Sequence, residues 1–380
     1  MGDWNEVILK DVVSKLGDGL HGTPLYDDEG EYYFINGNNL SNGKIKIKDE
    51  TKRITVEEYE KYKKDLNDRT ILVSINGTLG NVALYNNEPC VLGKSACYFN
   101  VKDGVNKLFV RYVVSTPRFN DYINNYANGT TIKNVSLKTM REYPFRLPDI
   151  AEQKAIASVL SSLDDKIDLL HRQNKTLDAM AETLFRQWFI EEVDDSWEVN
   201  NFGILFNLIM GQSPKGDTYN ENGIGLPLLN GAADYDNGYN ARKYTTDPKR
   251  INDVGDIIFC IRGTIGNIEF VNKKFCLGRG VAAIRPKLSQ NKHFIFLQLK
   301  RIINELISNA SGSVIVGLTK DDINLHTFSM PPEKLLINFS DIVTPLFKKI
   351  DNNTKEIRTL QNLRDTLLPK LMSGEVRVKH

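Results

Sequence analysis

The sequence lacks both long apolar runs and a cysteine framework. No apolar run among its 380 residues approaches the ~18 residues of a membrane span. Residues 1–10 also lack the apolar stretch of a signal peptide. The four cysteines form no Cys-x-x-Cys pair, which is typical of a reducing compartment; they are Cys90, Cys97, Cys260 and Cys276. We therefore expect a cytoplasmic protein that does not contact a membrane.

Catalytic motifs are missing as well. Residues 88–95 end like a phosphate-binding loop but lack its first glycine. Met330-Pro-Pro-Glu333 lacks the asparagine of the Asn-Pro-Pro-Tyr motif of adenine methyltransferases. The five histidines show no metal-ligand spacing; they are His21, His171, His293, His326 and His380. We expect a chain that is not an enzyme and holds no metal or cofactor of its own.

The sequence has almost no excess of charge. Its 49 basic and 48 acidic residues give a net charge of +1, whereas free-standing nucleic-acid binders are usually basic. Residues 197–332 contain 15 basic and 12 acidic residues, and residues 151–196 contain 5 and 10. Any binding to nucleic acid must therefore be local, or shared with a more basic partner.

The chain contains an internal repeat. Residues 71–82 return as residues 257–268, with Gly-Thr-x-Gly-Asn in both. Further blocks match in the same order: 34–37 with 228–231, 90–94 with 276–279, 129–132 with 312–315, and 143–148 with 327–331, while Trp4 and Trp197 open the two copies. Several matched blocks in one order indicate a duplicated module.

Each copy has a mixed α and β pattern. Residues 71–75 and 257–261 are short apolar runs that lead into the glycine motif, which predicts a buried strand followed by a turn. Residues 109–115 and 294–308 have helical spacing. The two polar glycine loops should therefore occupy equivalent positions in two related domains.

A heptad pattern follows each copy and predicts a coiled coil. Its apolar positions in the first copy are Ile156, Leu160, Leu163, Ile167, Leu170, Leu177, Ala181, Leu184 and Trp188, with Asn174 at the remaining step. Those in the second copy are Phe339, Val343, Leu346, Ile350, Ile357, Leu360, Leu367 and Leu371, with Asn353 and Arg364 at the remaining steps. A shift of 183 residues, from Ile156 to Phe339, superimposes the two sets.

The symmetry of the heptads predicts an antiparallel helix pair. The first set is symmetric about position 172, which gives the pairs Ile167 with Leu360, Trp188 with Phe339, and Asn174 with Asn353. A buried asparagine pair costs stability but favours one register. Pro345 is expected to kink the second helix or to move its start. An ordinary helical hairpin without a special role remains an alternative.

The sequence thus predicts an α+β fold. Two mixed α/β domains stand in tandem repeat, each followed by a long helix, and the helices pair as an antiparallel coiled coil around a pseudo-twofold axis. The predicted segments are 1–149 for the first domain, 150–190 for the first helix, 191–332 for a linker and the second domain, and 333–380 for the second helix and the C-terminal tail. A symmetric spacer of this kind suits a two-part linear target.

Three blocks resemble a known family. The ending Leu367-Leu-Pro-Lys-Leu-Met-Ser-Gly-Glu-Val-Arg377 and the helical residues 150–157 and 163–168 are similar to the specificity subunit of type I restriction-modification systems. The resemblance covers nearly the whole chain. The second copy departs from it, because Pro332-Glu-Lys-Leu stands where the first has Ala151-Glu-Gln-Lys.

The resemblance implies a division of labour. Each target recognition domain reads half of a bipartite, asymmetric sequence in double-stranded DNA, across a spacer that the helices set. The helices dock two methyltransferase subunits, which bind S-adenosylmethionine and modify adenine. Separate restriction subunits, which are motor nucleases, cut unmodified DNA. Partner subunits could then supply many of the phosphate contacts.

Candidate base-reading residues lie at matched loop positions of the repeat. Arginine and lysine recognise guanine, and asparagine and glutamine recognise adenine. The candidates are Asn76, Lys94, Thr130, Lys133 and Asn134 in the first copy, and Arg262, Arg279, Ser313 and Lys320 in the second. For the glycines of these loops, a structural turn is the preferred interpretation.

Three alternatives stay open at this point. A protein-interaction scaffold, with two binding domains on a helical rod and no DNA, fits the neutral charge. A degenerate methyltransferase is disfavoured by the missing glycine loop for S-adenosylmethionine and the missing Asn-Pro-Pro-Tyr motif. A related defence system, in which a similar subunit guides a different enzyme against phage, fits the same residues.

Overall fold

The structure, a computed structural model, describes residues 4–129, 132–236, 238–309 and 317–378. The chain forms two compact units: unit 1 contains Met1–Leu170 and Lys355–His380, and unit 2 contains His171–Thr354. This division falls inside both long helices, whereas the sequence analysis treated each helix as a segment of its own. The predicted domain bounds stay predictions.

Unit 1 contains short strands and helices that enclose one large apolar cluster and several smaller ones. Its strands are β1 (Asn5–Ile8), β2 (Val13–Asp18), β3 (Tyr32–Ile35), β4 (Leu40–Ser41), β5 (Lys44–Ile45), β6 (Arg53–Ile54), β7 (Thr70–Ser74), β8 (Val82–Leu84), β9 (Cys90–Leu92), β10 (Ala96–Val101) and β11 (Pro144–Leu147). Its helices are α1 (Leu9–Val12), α2 (Val56–Tyr62), α3 (Lys107–Val113), α4 (Pro117–Asn125), α5 (Leu137–Arg141) and the first part of α6 (Ile150–Arg186). The sheets have the orders β2-β10-β7-β8, β6-β3-β9, β1-β11 and β4-β5.

Unit 2 repeats this plan. Its strands are β12 (Val199–Asn201), β13 (Phe206–Met210), β14 (Tyr219–Asn220), β15 (Leu226–Leu229), β16 (Lys243–Thr245), β17 (Ile257–Cys260), β18 (Gly266–Phe270), β19 (Cys276–Leu277), β20 (Val281–Pro286) and β21 (Thr327–Ser329). The helices are the second part of α6, α7 (Lys292–Asn309), α8 (Lys320–Asn324) and α9 (Glu333–Ser373), whose second part belongs to unit 1. The sheets have the orders β13-β20-β17-β18, β14-β16-β15-β19 and β12-β21.

The sheets β2-β10-β7-β8 and β13-β20-β17-β18 share their strand register as well as their strand order. Ile71 of β7 pairs with Phe99 of β10, and Ile257 of β17 pairs with Ile284 of β20. The strands β7 and β17 are buried along their whole length, as apolar central strands are. The predicted tandem repeat of an α+β domain is confirmed.

Local signals explain the helices of unit 1. The Asn106 side chain caps α3 by accepting a hydrogen bond from the Phe109 amide, and Thr116 caps α4 in the same way, with Pro117 in its first turn. Phe109 and Phe119 are then fully buried in the core. In the described ranges, no helix has the length and apolar character to cross a membrane.

The long helices contact each other in an antiparallel sense within each unit. In unit 1, Ile167 lies in one apolar cluster with Leu360. In unit 2, the ring centroids of Trp188 and Phe339 lie 6.0 Å apart, and Asn353 Nδ2 donates to Asn174 Oδ1 at 2.9 Å. These are the pairs that the heptad symmetry predicted, and none of the predicted pairing residues is exposed. The winding of a coiled coil stays a prediction.

Pro345 does not move the start of the second long helix. Helix α9 begins at Glu333, where the sequence analysis placed its segment, and continues through Pro345 to Ser373. Of the two expected effects of Pro345, a moved helix start is therefore wrong, and a kink stays a prediction. An aromatic cluster around Phe339 covers this first part of α9, and Val343 is fully buried one turn later. Packing of this kind can retain a helix across a proline that removes one backbone hydrogen bond.

A network of charged groups ties the helices of unit 1 to the domain. Arg111 Nη1 of α3 lies 2.6 Å from Asp164 Oδ2, the Tyr112 hydroxyl donates to the same oxygen at 2.8 Å, and Arg364 Nη1 of α9 lies 2.9 Å from Asp164 Oδ1. Burial disfavours the charged carboxylate, but the two guanidinium groups outweigh this effect and hold the pKa of Asp164 below its usual range. Arg364 fills a heptad step that lacks an apolar residue.

The substitution Asp164→Asn should lower the free energy of unfolding by roughly 2–3 kcal/mol, because it leaves the largely buried Arg111 without its counter-charge and removes one of the two carboxylate partners of Arg364, which also pairs with Asp365. The folded pKa is lowered, so this contribution is complete at neutral pH and is lost as the pH falls through the folded value. Urea denaturation over a series of pH values, from 7 to below the ordinary aspartate pKa of 3.8, measures both effects. The exposed neighbour Asp165 gives the control, Asp165→Asn; equal losses in both variants would contradict the role of the network.

The asparagine pair predicts a gain of stability on substitution. Asn353 is fully buried, and within the described residues its Oδ1 has no hydrogen-bond partner. The double variant N174L/N353L should therefore raise the free energy of unfolding by about 1–2 kcal/mol, since an unpaired buried acceptor is removed. Thermal unfolding measures the change, with the exposed Asn362→Leu on the same helix as control. A less stable double variant would show that the pair stabilises the fold itself.

Candidate nucleic-acid interface

The Gly-Thr-x-Gly loops of the two modules both have positive φ at their two glycines. The angle φ is 74° at Gly77, 80° at Gly80, 75° at Gly263 and 112° at Gly266. Residues with a side chain rarely adopt these φ values, so the glycines are needed for the conformation of the turn. Each turn places one variable residue at the end of a buried strand, namely Asn76 after β7 and Arg262 after β17.

In the first module, this strand end lies beside a second loop. The Ile75 amide donates to the Ser95 carbonyl at 2.9 Å, so the next residues, Asn76 and Lys94, lie side by side. Asn76 Nδ2 donates to Asn134 Oδ1 at 3.2 Å, and Lys94 is exposed. Three residues that the sequence singled out are therefore brought together.

The remaining candidates of the first module lie on the loop before α5. The Lys133 carbonyl accepts a hydrogen bond from the Gly77 amide at 3.0 Å, which attaches this loop to the glycine turn. The Lys133 ammonium donates to Asn124 Oδ1 of α4 at 3.0 Å. Thr130 lies outside the described residues.

The second module repeats the arrangement with different side chains. The Ile261 amide donates to the Gly280 carbonyl at 2.9 Å, and the next residues are Arg262 and Arg279, both exposed. A Cβ atom on Gly317 would lie 3.0 Å from Arg262 Cγ, so the aliphatic part of the arginine side chain lies against the Gly317 backbone.

A cleft of about 720 Å³ opens at this end of the second module. Four basic residues line it: Arg242, Lys243, Arg262 and Arg279. The one acidic residue of its lining, Asp234, is buried; its Oδ2 accepts a 2.6 Å hydrogen bond from the Asn230 amide and its Oδ1 lies 3.5 Å from Arg242 Nε. The open surface of the cleft is therefore basic.

Sequence reasoning missed Arg242 and Lys243. No matched block of the repeat covers residues 232–256, and the start of strand β16 reaches the cleft through the pairing of this strand with β15 and β14. The one sequence feature that could have indicated these two residues is that they are adjacent and both basic. Lys320 is exposed at the start of α8 and does not belong to the described residues that line the cleft. Ser313 lies outside the described part of the chain.

The cleft depends on a close backbone approach at Gly211. Its amide donates to the Val281 carbonyl at 3.0 Å, and the neighbouring Gln212 amide donates to the Leu277 carbonyl at 2.8 Å. The end of β13 thus lies directly against the loop that carries Arg279. In the first module, Gly19 makes the same approach to the Leu92 carbonyl.

The cysteines and the buried histidine are suited to packing. All four cysteines are free and buried, and burial raises the pKa of Cys90 to about 12, so its thiol stays protonated at neutral pH. Burial lowers the pKa of His293 to about 4, and its ring stacks on Phe347. Over residues 4–129, 132–236, 238–309 and 317–378, no three His, Cys, Asp or Glu side chains lie close enough to hold a metal ion.

Two copies of one module, alike in backbone and different in the side chains at their loop tips, define a tandem-repeat binding protein. The chain belongs to the family of the type I restriction modification DNA specificity domain, whose model matches residues 1–179 and 194–362. The resemblance found in the sequence is confirmed.

Known proteins resemble the chain over most of its length. It is 28% identical to the type I restriction enzyme MjaIX specificity subunit of Methanocaldococcus jannaschii, over 99% of this chain and 94% of the relative. It is 21% identical to the HindI specificity subunit of Haemophilus influenzae, over 65% and 72%. The crystal structure of the type I restriction-modification system S subunit from M. genitalium has the same fold, with a TM-score of 0.63, 22% identity and coverage of 97% and 96%.

The substitution Gly211→Ala should destabilise unit 2, because the new Cβ would lie 2.1 Å from the Gly278 carbonyl oxygen. Overpacking of this kind costs about 1–3 kcal/mol. Thermal unfolding and the rate of proteolysis in the loop that carries Arg279 measure the effect. Gly216→Ala is the control, since nothing lies within 4 Å of its Cβ position; an equally stable Gly211→Ala would contradict the close approach.

Proposed function

We propose that the two modules read the two halves of a bipartite, asymmetric DNA sequence, and that the long helices set the spacer between the halves. The observation that carries this proposal is the difference between equivalent loop tips. The first module presents Asn76 and Lys94 where the second presents Arg262 and Arg279, on strands with the same register. Two different half-sites require such a difference, since amide and guanidinium groups recognise different bases.

The charge distribution supports local binding. The net charge of +1 means that the chain as a whole offers no excess of positive charge for binding to phosphates. The four basic residues of the cleft concentrate positive potential in one concave place, where it acts on a phosphate backbone at short range. In the proposal, partner subunits supply further phosphate contacts.

The proposed partners are those of the family. Two methyltransferase subunits, which hold S-adenosylmethionine, dock on the long helices, and restriction subunits with motor and nuclease activity complete the complex. The chain itself selects the DNA sequence and performs no chemistry. Exposed apolar side chains on both long helices, among them Leu169, Met180 and Leu363, are available for such contacts.

A base-resolution map of DNA methylation tests the proposal. The native host with the gene should methylate one two-part motif with a fixed spacer, and a host without the gene should lose methylation at that motif alone. Complementation with a chain whose residues 197–332 come from another family member should change one half of the motif and leave the other half and the spacer unchanged.

Two outcomes would contradict the proposal. An unchanged methylation map, in cells where the partner subunits are produced, would remove the specificity role. Failure of the purified complex with its methyltransferase subunits to bind DNA would favour the alternative, a protein-interaction scaffold with two binding domains. Expression of the partner subunits is measured in the same cells as the control.

A further inference from the structure

Two arginines of the second module lie together without a carboxylate to neutralise them. Arg262 directly follows Ile261, and Arg279 directly precedes Gly280. Because Ile261 and Gly280 are hydrogen-bonded to each other, the two arginines are cross-strand neighbours. Like charges at such positions repel each other. Among the described residues, neither arginine forms an ion pair, and both are exposed in the cleft. This arrangement is suited to a ligand that offers hydrogen-bond acceptors.

The third arginine of the cleft is held differently. Arg242 Nε lies 3.5 Å from Asp234 Oδ1, and the Asn230 amide fixes that carboxylate at 2.6 Å. Its neighbour Lys243 is an exposed point charge on β16. These two groups suit phosphate contacts, which position a duplex but carry no sequence information.

Arg262 and Arg279 have the features of base-reading groups. Both extend from backbone that β17, β20 and the glycine turn hold in place, and the stem of Arg262 also runs along Gly317. A guanidinium fork on a rigid support matches the two acceptors, N7 and O6, that guanine presents in the major groove.

The first module lacks this pair of forks. Asn76 uses one amide hydrogen on Asn134 and keeps its carbonyl oxygen and its second hydrogen for a ligand. An acceptor beside a donor matches the N6 and N7 pattern of adenine. Lys94 is a point charge without a fork.

We propose that Arg262 and Arg279 each read a guanine in the half-site bound by the second module. This inference rests on the proposed function and adds the identity of the bases. The other half-site faces Asn76 and Lys94 at the equivalent positions, so it is bound without a pair of arginine forks.

The first arm of the test is a methylation map of a host that produces the chain with its methyltransferase subunits. The variants R262Q and R279Q should each relax one guanine position in the same half-site, with a loss of preference of about 10- to 100-fold. The other half-site should stay unchanged. R262K keeps the charge and a donor for guanine but loses the planar fork, so it should relax the same position less than R262Q does.

The second arm uses the wild-type complex, so that it does not depend on the folding of a variant. Duplexes carrying 7-deazaguanine at the implicated position lack the N7 acceptor and should bind about 10-fold more weakly. The same replacement at a guanine of the spacer is the control. In the R262Q complex the replacement should have no further effect, because the interaction is already absent.

The outcomes separate this inference from the proposed function. A two-part motif whose guanines respond to neither variant, or a uniform loss of binding on all sequences, overturns base reading by these arginines and leaves the two-part function in place. The absence of any two-part motif overturns the proposed function and this inference together.

Discussion

Burial of the long helices is the constraint on which the rest of the structure depends. In unit 1 the core contains Ile156 of α6 and Leu371 of α9, and in unit 2 it contains Phe185 of α6 and Phe339 of α9. Each core is therefore closed by parts of both helices, so neither module has a complete core within its own copy of the repeat. Because burial of apolar surface is the main stabilising term, the duplicated copies depend on each other for stability.

The polar steps in the heptads give this apolar seam its register. Arg364, at a heptad step of α9, pairs in unit 1 with Asp164, which follows the heptad residue Leu163. In unit 2, Asn174 and Asn353, both at heptad steps, pair with each other. An apolar seam alone tolerates a slip of one heptad, whereas a slip here would bury charges or amides without partners. Such groups contribute more to the choice of one arrangement than to its stability.

The sequence predicted the fold far better than the site. Repeats and heptads are local patterns, and they gave the tandem domains and helix segments. Arg262 and Arg279 were both chosen as matched loop positions. Their proximity to each other depends on strand register, which the periodicity of the sequence does not reveal. Arg242 was missed because β16 reaches the cleft through pairing with β15 in a region without a matched block. The continuity of α9 through Pro345 likewise depends on tertiary packing, which overrides local preference.

The duplication kept backbone contacts and changed side chains. The Gly93 amide donates to the Ile35 carbonyl at 2.8 Å, and the equivalent Gly278 amide donates to the Leu229 carbonyl at 2.7 Å. At one pair of equivalent core positions, a hydrogen bond between Thr70 and Asn100 has become an ion pair between Asp256 and Arg285. Backbone hydrogen bonds do not depend on residue type, so they preserve the loop positions while the loop tips diverge. A module of this kind can acquire a new recognition surface without a new fold.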